Sequence, residues 1–144
     1  MYRIHDNGTI EIVRGDTAYF KIIPQYFDIV ENPEDEDLPS YYEFIDGEYI
    51  PTEDKYVDPK KTYYDLHDYE LQDGDTLLFT VKRNAKRPEV IFQKTGPMIH
   101  IESEDTEGLK YRTYKYDVQY SNSNGDVDTI IRPTDFKVSE EVTW

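Results

Sequence analysis

Turn-forming clusters punctuate this sequence so often that little except short strands fits between them. Arg14-Gly15-Asp16, Asp73-Gly74-Asp75, Gly96-Pro97 and Asn122-Ser123-Asn124-Gly125-Asp126 each separate runs that are rich in β-branched and aromatic side chains. Glycine and asparagine tolerate the positive φ of tight turns, and proline cannot donate to a sheet ladder, so such clusters end strands. The runs between them are residues 9–13, 17–23, 76–81, 90–94, 98–101, 111–120, 127–131 and 136–138. In the second, Ala18, Phe20 and Ile22 fall on one face; in the sixth, Tyr114, Tyr116, Val118 and Tyr120 do. Alternation of period two is the mark of a strand with one face in a core. Asn124-Gly125 predicts a hairpin, and Pro133 is expected to split the runs on either side of it. Arg14-Gly15-Asp16 reads as a tight hairpin turn between two strands, not as an adhesion tripeptide. One helical turn is expected over 103–108, with Ser103 as its N-cap and Gly108 at its end. The expectation is an all-β chain of about seven or eight short strands, in a sandwich or small barrel.

One stretch, about 26–69, breaks the pattern. It carries Pro33, Pro39, Pro51 and Pro59, the acidic run Glu34-Asp35-Glu36-Asp37, and the pairs Tyr41-Tyr42 and Tyr63-Tyr64. Prolines this frequent argue against a long regular element. We read the stretch as an elaborated acidic loop, with one hairpin through 42–50, inserted in a single domain spanning 1–144. From Asp28 to Asp75 there are 17 acidic side chains against three lysines, a net of −14, which leaves about −1 of the total −15 for the rest. Such a segment repels nucleic acid and anionic membranes and attracts basic partners. Aromatic anchors dominate protein contacts, and charges around them set orientation. The candidate partner-binding residues are therefore Glu34, Asp35, Glu36, Asp37, Tyr41, Tyr42, Tyr63 and Tyr64.

The residue types also argue against chemistry. Without cysteine there is no thiol nucleophile, disulfide or thiolate zinc site. His5, His67 and His100 stand in no metal-ligand spacing, and the acidic run lacks the alternating ligands and central glycine of a calcium loop. No Gly-x-Ser-x-Gly elbow or phosphate-cradling glycine loop occurs. Carboxylates are abundant, but abundance does not pair them across a cleft. The chain is expected to be no enzyme, with no catalytic, cofactor or metal site. Its first residues lack the apolar stretch of a signal peptide, and no apolar run approaches the roughly 18 residues that span a bilayer. It is expected to be made in the cytosol.

Three segments resemble small prophage proteins that are similar to the N-terminal domain of phage upper-baseplate (receptor-binding-platform) proteins. They are the Gly15-Asp16-Thr17 turn within 9–19, the Gly74-Asp75 strand start within 71–82, and Tyr116-Asp117-Val118 within 114–131. The ending, 136–144, is compatible with that group. The resemblance covers roughly 100 of the 144 residues and skips the acidic stretch. It implies an immunoglobulin-like antiparallel β-sandwich in a virion tail, baseplate or particle component made in the bacterial host cytoplasm. The implied partners are other phage structural proteins and further copies of the chain, and no catalytic residues come with it. An acidic inhibitor is the second expectation: carboxylates in place of phosphates would occupy the basic groove of a host defence nuclease or another DNA- or RNA-binding enzyme.

Overall fold

A computed structural model describes residues 1–84, 86–87 and 89–140, so the closing 141–144 lie outside the described residues. The strands are β1 (Tyr2–Ile4), β2 (Ile10–Val13), β3 (Ala18–Lys21), β4 (Gln25–Ile29), β5 (Tyr42–Ile45), β6 (Glu48–Pro51), β7 (Tyr64–Asp68), β8 (Thr76–Lys82), β9 (Val90–Gly96), β10 (Met98–Ile101), β11 (Arg112–Ser121) and β12 (Val127–Ser139). A 3-10 helix spans Asp35–Ser40, and one α-helical turn, α1, spans Ser103–Glu107. The protein is mostly β, with antiparallel and mixed sheets. The chain divides into two compact units: residues 1–22 with 71–144, and residues 23–70.

In unit 1 a six-stranded sheet runs β1-β2-β12-β11-β8-β9, and β3 pairs with β10 in a separate two-stranded sheet. Every pairing is antiparallel except β2 with β12, where Ile10 lies beside Phe136 and Ile12 beside Val138 in a parallel ladder. The expected wholly antiparallel arrangement is thus broken at one place. The core draws on both sheets: Ile10, Ile12, Leu77, Phe79, Val118 and Phe136 from the large one, Ala18, Ile99 and Ile101 from the small one. Phe20 of β3 meets Phe79 edge to face at 5.8 Å, and Phe79 also touches Phe92, Tyr116 and Phe136. The alternations of β3 and β11 place their apolar sides here, with Ala18, Tyr114, Tyr116 and Val118 buried. The tyrosine tips find partners as the rings enter the core: Tyr116 donates to the Gly8 carbonyl at 2.5 Å and Tyr114 to that of Lys110 at 3.0 Å.

The turns follow their chemistry. At the β11–β12 hairpin the Asn122 side-chain oxygen accepts from the backbone N–H of Asn124 and of Asp126, and Gly125 takes φ +86°. Gly74 sits at φ +88°, and a Cβ there would stand 2.8 Å from that of Ser123, so no other residue fits without displacement. Three expectations are corrected. Arg14-Gly15-Asp16 is no hairpin, because β2 and β3 pair in different sheets; it is a corner between sheets, with the Gly15 N–H donating to the buried Thr106 hydroxyl at 2.9 Å. Pro133 does not split the chain into two strands; β12 continues through it, and the pairing with β11 shifts register there, which is where a residue without an N–H fits. The turn at α1 is also capped by Glu102 rather than Ser103: the Glu102 N–H donates to the Asp105 carboxylate at 2.8 Å, and Gly108 ends the helix.

Unit 2 holds more order than a loop with one hairpin. Its four strands form an antiparallel sheet in the order β4-β7-β5-β6. The expected hairpin through 42–50 is β5–β6, turning at Asp46-Gly47, both at positive φ. Proline is accommodated at element margins and in the 3-10 helix, at Pro39 and at the end of β6.

Candidate functional site

Strand alternation divides the unit 2 sheet into unlike faces. Residues directly opposite each other in an antiparallel ladder share a face. Phe27 lies opposite Leu66, Ile29 opposite Tyr64, Tyr64 opposite Tyr42, Tyr42 opposite Pro51, and Phe44 opposite Tyr49. One face is therefore apolar on all four strands, with only the pair Gln25 and Asp68 at one corner, hydrogen-bonded at 2.9 Å. Its rings touch: Phe27 and Tyr49 are stacked at 3.9 Å between centroids with planes 9° apart, and Tyr49 also contacts Phe44 and Tyr64. The rings cover one another only in part: Phe27, Tyr42 and Tyr64 are half-buried. Phe44 is 52% and Ile29 56% exposed, and Tyr49, Leu66 and Pro51 are exposed as well.

The opposite face alternates charge with carbon: Asp28, Glu43, Glu48 and Asp65 stand among Tyr26, Ile45, Ile50 and His67. At one end lies a small core of Leu38, Tyr41 and Tyr63, with Val30 and Val57 against it. Tyr63 is 1% and Tyr41 7% exposed. The Tyr63 hydroxyl donates to Asp54 at 2.7 Å and accepts from the Asp58 N–H at 2.9 Å. Lys61 pairs with Asp54 at 3.0 Å and with Glu43 at 3.1 Å, and the Thr52 hydroxyl donates to Glu43 at 2.9 Å. The Tyr63 hydroxyl, and after it Lys61, holds the Asp54 carboxyl below its ordinary value. Asp54 and then Glu43 raise Lys61, while burial raises the Tyr63 phenol. This network ties 52–63 back to the sheet.

The eight candidate residues therefore separate. Tyr42 and Tyr64 are neighbours on the aromatic face. Tyr41 and Tyr63 are interior and support the unit, so their rings offer little area to a partner. Glu34, Asp35, Glu36 and Asp37 sit at the start of the 3-10 helix, where Asp35 accepts from the Val57 N–H at 2.7 Å. Carboxylate oxygens of Glu34, Glu36 and Asp37 lie within 4.8 Å of one another, all exposed. The contact with Glu36, and then the charge of Asp37, raises the Glu34 carboxyl. Sequence reasoning missed Phe27, Ile29, Phe44, Tyr49 and Leu66. The alternations Tyr64-Asp65-Leu66-His67 and Tyr42-Glu43-Phe44-Ile45 were the available signal.

Elsewhere His5 pairs with Glu11 at 3.1 Å, His67 with Asp65 at 2.7 Å, and His100 packs on Tyr19. Arg14 lies 4.2 Å from the centre of the Tyr111 ring. An open depression of about 220 Å³ in unit 1 is lined by Arg83, Lys110, Arg112 and Glu89 around Ile91 and Tyr114. Among the described residues no helix is long and apolar enough to cross a membrane. No protein-family model matches the chain, no curated protein matches it, and no solved structure matches it.

Proposed function

We infer that this chain is a phage or prophage virion-associated structural protein that acts by protein–protein contact and not by catalysis. The observation that carries the contact reading is the aromatic face of the unit 2 sheet, where Phe44 and Ile29 stay more than half exposed. Soluble proteins leave few such contiguous apolar patches without a binding role. The virion assignment rests on the resemblance of three segments to upper-baseplate proteins. In the fold these fall on the β2–β3 corner, on β8 and on the β11–β12 hairpin, which together make up much of the framework of unit 1. We assign unit 1 an immunoglobulin-like sandwich on that resemblance, supported by a core shared between its two sheets. The chain would be made in the host cytoplasm and incorporated into particles beside other phage structural proteins.

Segregation of charge favours a second reading, the acidic nucleic-acid mimic. Unit 2 has 15 acidic side chains against three lysines, a net of −12, whereas unit 1 has 16 against 13 basic ones, a net of −3. Mass spectrometry of salt-washed particles induced from the source strain separates the two. Many copies per particle are expected. Absence from particles, with abundant expression in the infected cell, would overturn the virion reading and leave inhibition of a basic nucleic-acid enzyme to be assayed.

A further inference from the structure

We propose that the aromatic face of the unit 2 sheet is the seat of a second copy of this chain, two such faces packing together about a twofold axis. The inference rests on the contact reading above and names the partner. A sheet with one apolar face needs a second layer to cover it, and sheet faces pack on one another about 10 Å apart. Unit 2 provides such a layer on neither Phe44 nor Ile29.

Charge selects the occupant. A basic partner would find rings here but almost no carboxylate to pair with, since strand residues supply one, Asp68, at a corner and already bonded to Gln25. The other strand carboxylates, Asp28, Glu43, Glu48 and Asp65, lie on the opposite face. Two copies joined through the aromatic faces keep those charges on their outer surfaces, where salt screens them. The area is adequate. At around 200 Å² per large side chain, the exposed fractions sum to on the order of 500 Å² per copy, about 1,000 Å² for the pair, the lower bound for a specific interface. A twofold contact is self-complementary, so it closes at two copies.

The test is sedimentation equilibrium of the full chain from 1 to 200 µM, in 0.15 M and 1 M sodium chloride. The expected result is twice the 17.1 kDa chain mass, with association unchanged or tighter at high salt. Phe44→Asp should raise the dissociation constant at least about 30-fold. Leu66→Asp, on the same face, should do likewise and serves should Phe44→Asp fail to fold. Ile45→Asp, on the opposite face, should leave the dimer intact. A monomer at 200 µM overturns the proposal. So does a dimer indifferent to Phe44→Asp and Leu66→Asp, or one that dissolves in 1 M salt, or binding of an arginine-rich peptide that needs Phe44. None of these results depends on particles, so the virion reading stands or falls separately.

Discussion

The six-stranded sheet of unit 1 and the four-stranded sheet of unit 2 each present one apolar face, and they treat it differently. In unit 1, β3 and β10 bring Ala18, Ile99 and Ile101 against Phe79 and Phe136, and those rings are fully buried. In unit 2 the buried apolar cluster is Leu38, Tyr41 and Tyr63, while the aromatic face keeps Phe44 and Ile29 open. The first sheet uses its apolar face for its own stability. The second leaves that face available, and holds itself together with a polar network and a minimal core. Small four-stranded units are marginal on hydrophobic burial alone. Any partner that covered the aromatic face would therefore also stabilise the sheet.

This contrast can be broken at its strongest point first. Phe79→Ala removes the ring shared by four aromatic neighbours in unit 1 and should cost about 3–5 kcal/mol. Urea unfolding followed by near-UV circular dichroism measures it, and a loss under about 1 kcal/mol would mean that the core is not shared as described. Leu38→Ala in unit 2 should cost about 2–4 kcal/mol, read as faster amide exchange confined to 23–70. Exchange spreading into β8 and β11 would show that the two units do not open separately.

Smaller effects sharpen the difference. Tyr63→Phe keeps the ring but removes the hydroxyl between Asp54 and the Asp58 N–H, and should cost unit 2 about 1–2 kcal/mol. The same network gives a pH signature. The Asp54 carboxyl is held below its ordinary value of 3.8, so its stabilisation is fully present above that pH and disappears as the pH falls through the lower native value. The stability gap between wild type and Asp54→Asn should therefore be constant from neutral pH down to about 4 and close below it. A gap that narrows already between pH 7 and 5 would contradict this. Glu34 has the opposite sign. Its raised carboxyl disfavours the folded form at neutral pH, and Glu34→Gln should raise the melting temperature slightly. A fall would show that the carboxylate has a favourable partner.

What the sequence made legible was local. The Asn122 to Asp126 turn, the shared face of Ala18, Phe20 and Ile22, and the helical turn near Gly108 follow from neighbours a few residues apart. Non-local pairing was hidden. Nothing in Arg14-Gly15-Asp16 shows that β2 and β3 belong to different sheets, since that depends on β12 and β10. The unit 2 sheet was obscured in the same way: β4 pairs with β7, joining Gln25 to Asp68 across the prolines and the acidic run. Composition pointed to a loop while five-residue alternations pointed to strands, and the alternations prevailed because tertiary pairing outweighs local propensity. For the site, the tyrosine pairs were noticed, but in a strand adjacent residues face opposite ways. One member of each pair, Tyr42 and Tyr64, reaches the aromatic face, and the other is interior.

The parallel pairing of β2 with β12 has a consequence for synthesis. β12 lies between β2 and β11, so the six-stranded sheet stays in two pieces until residues 127–139 have left the ribosome. The continuous unit 2 can complete every one of its pairings some 60 residues earlier. Order of emergence therefore places an exposed aromatic sheet on the nascent chain while the N-terminal strands still wait for their neighbour, and joining positions 10 and 136 makes closure of the larger sheet the slow step.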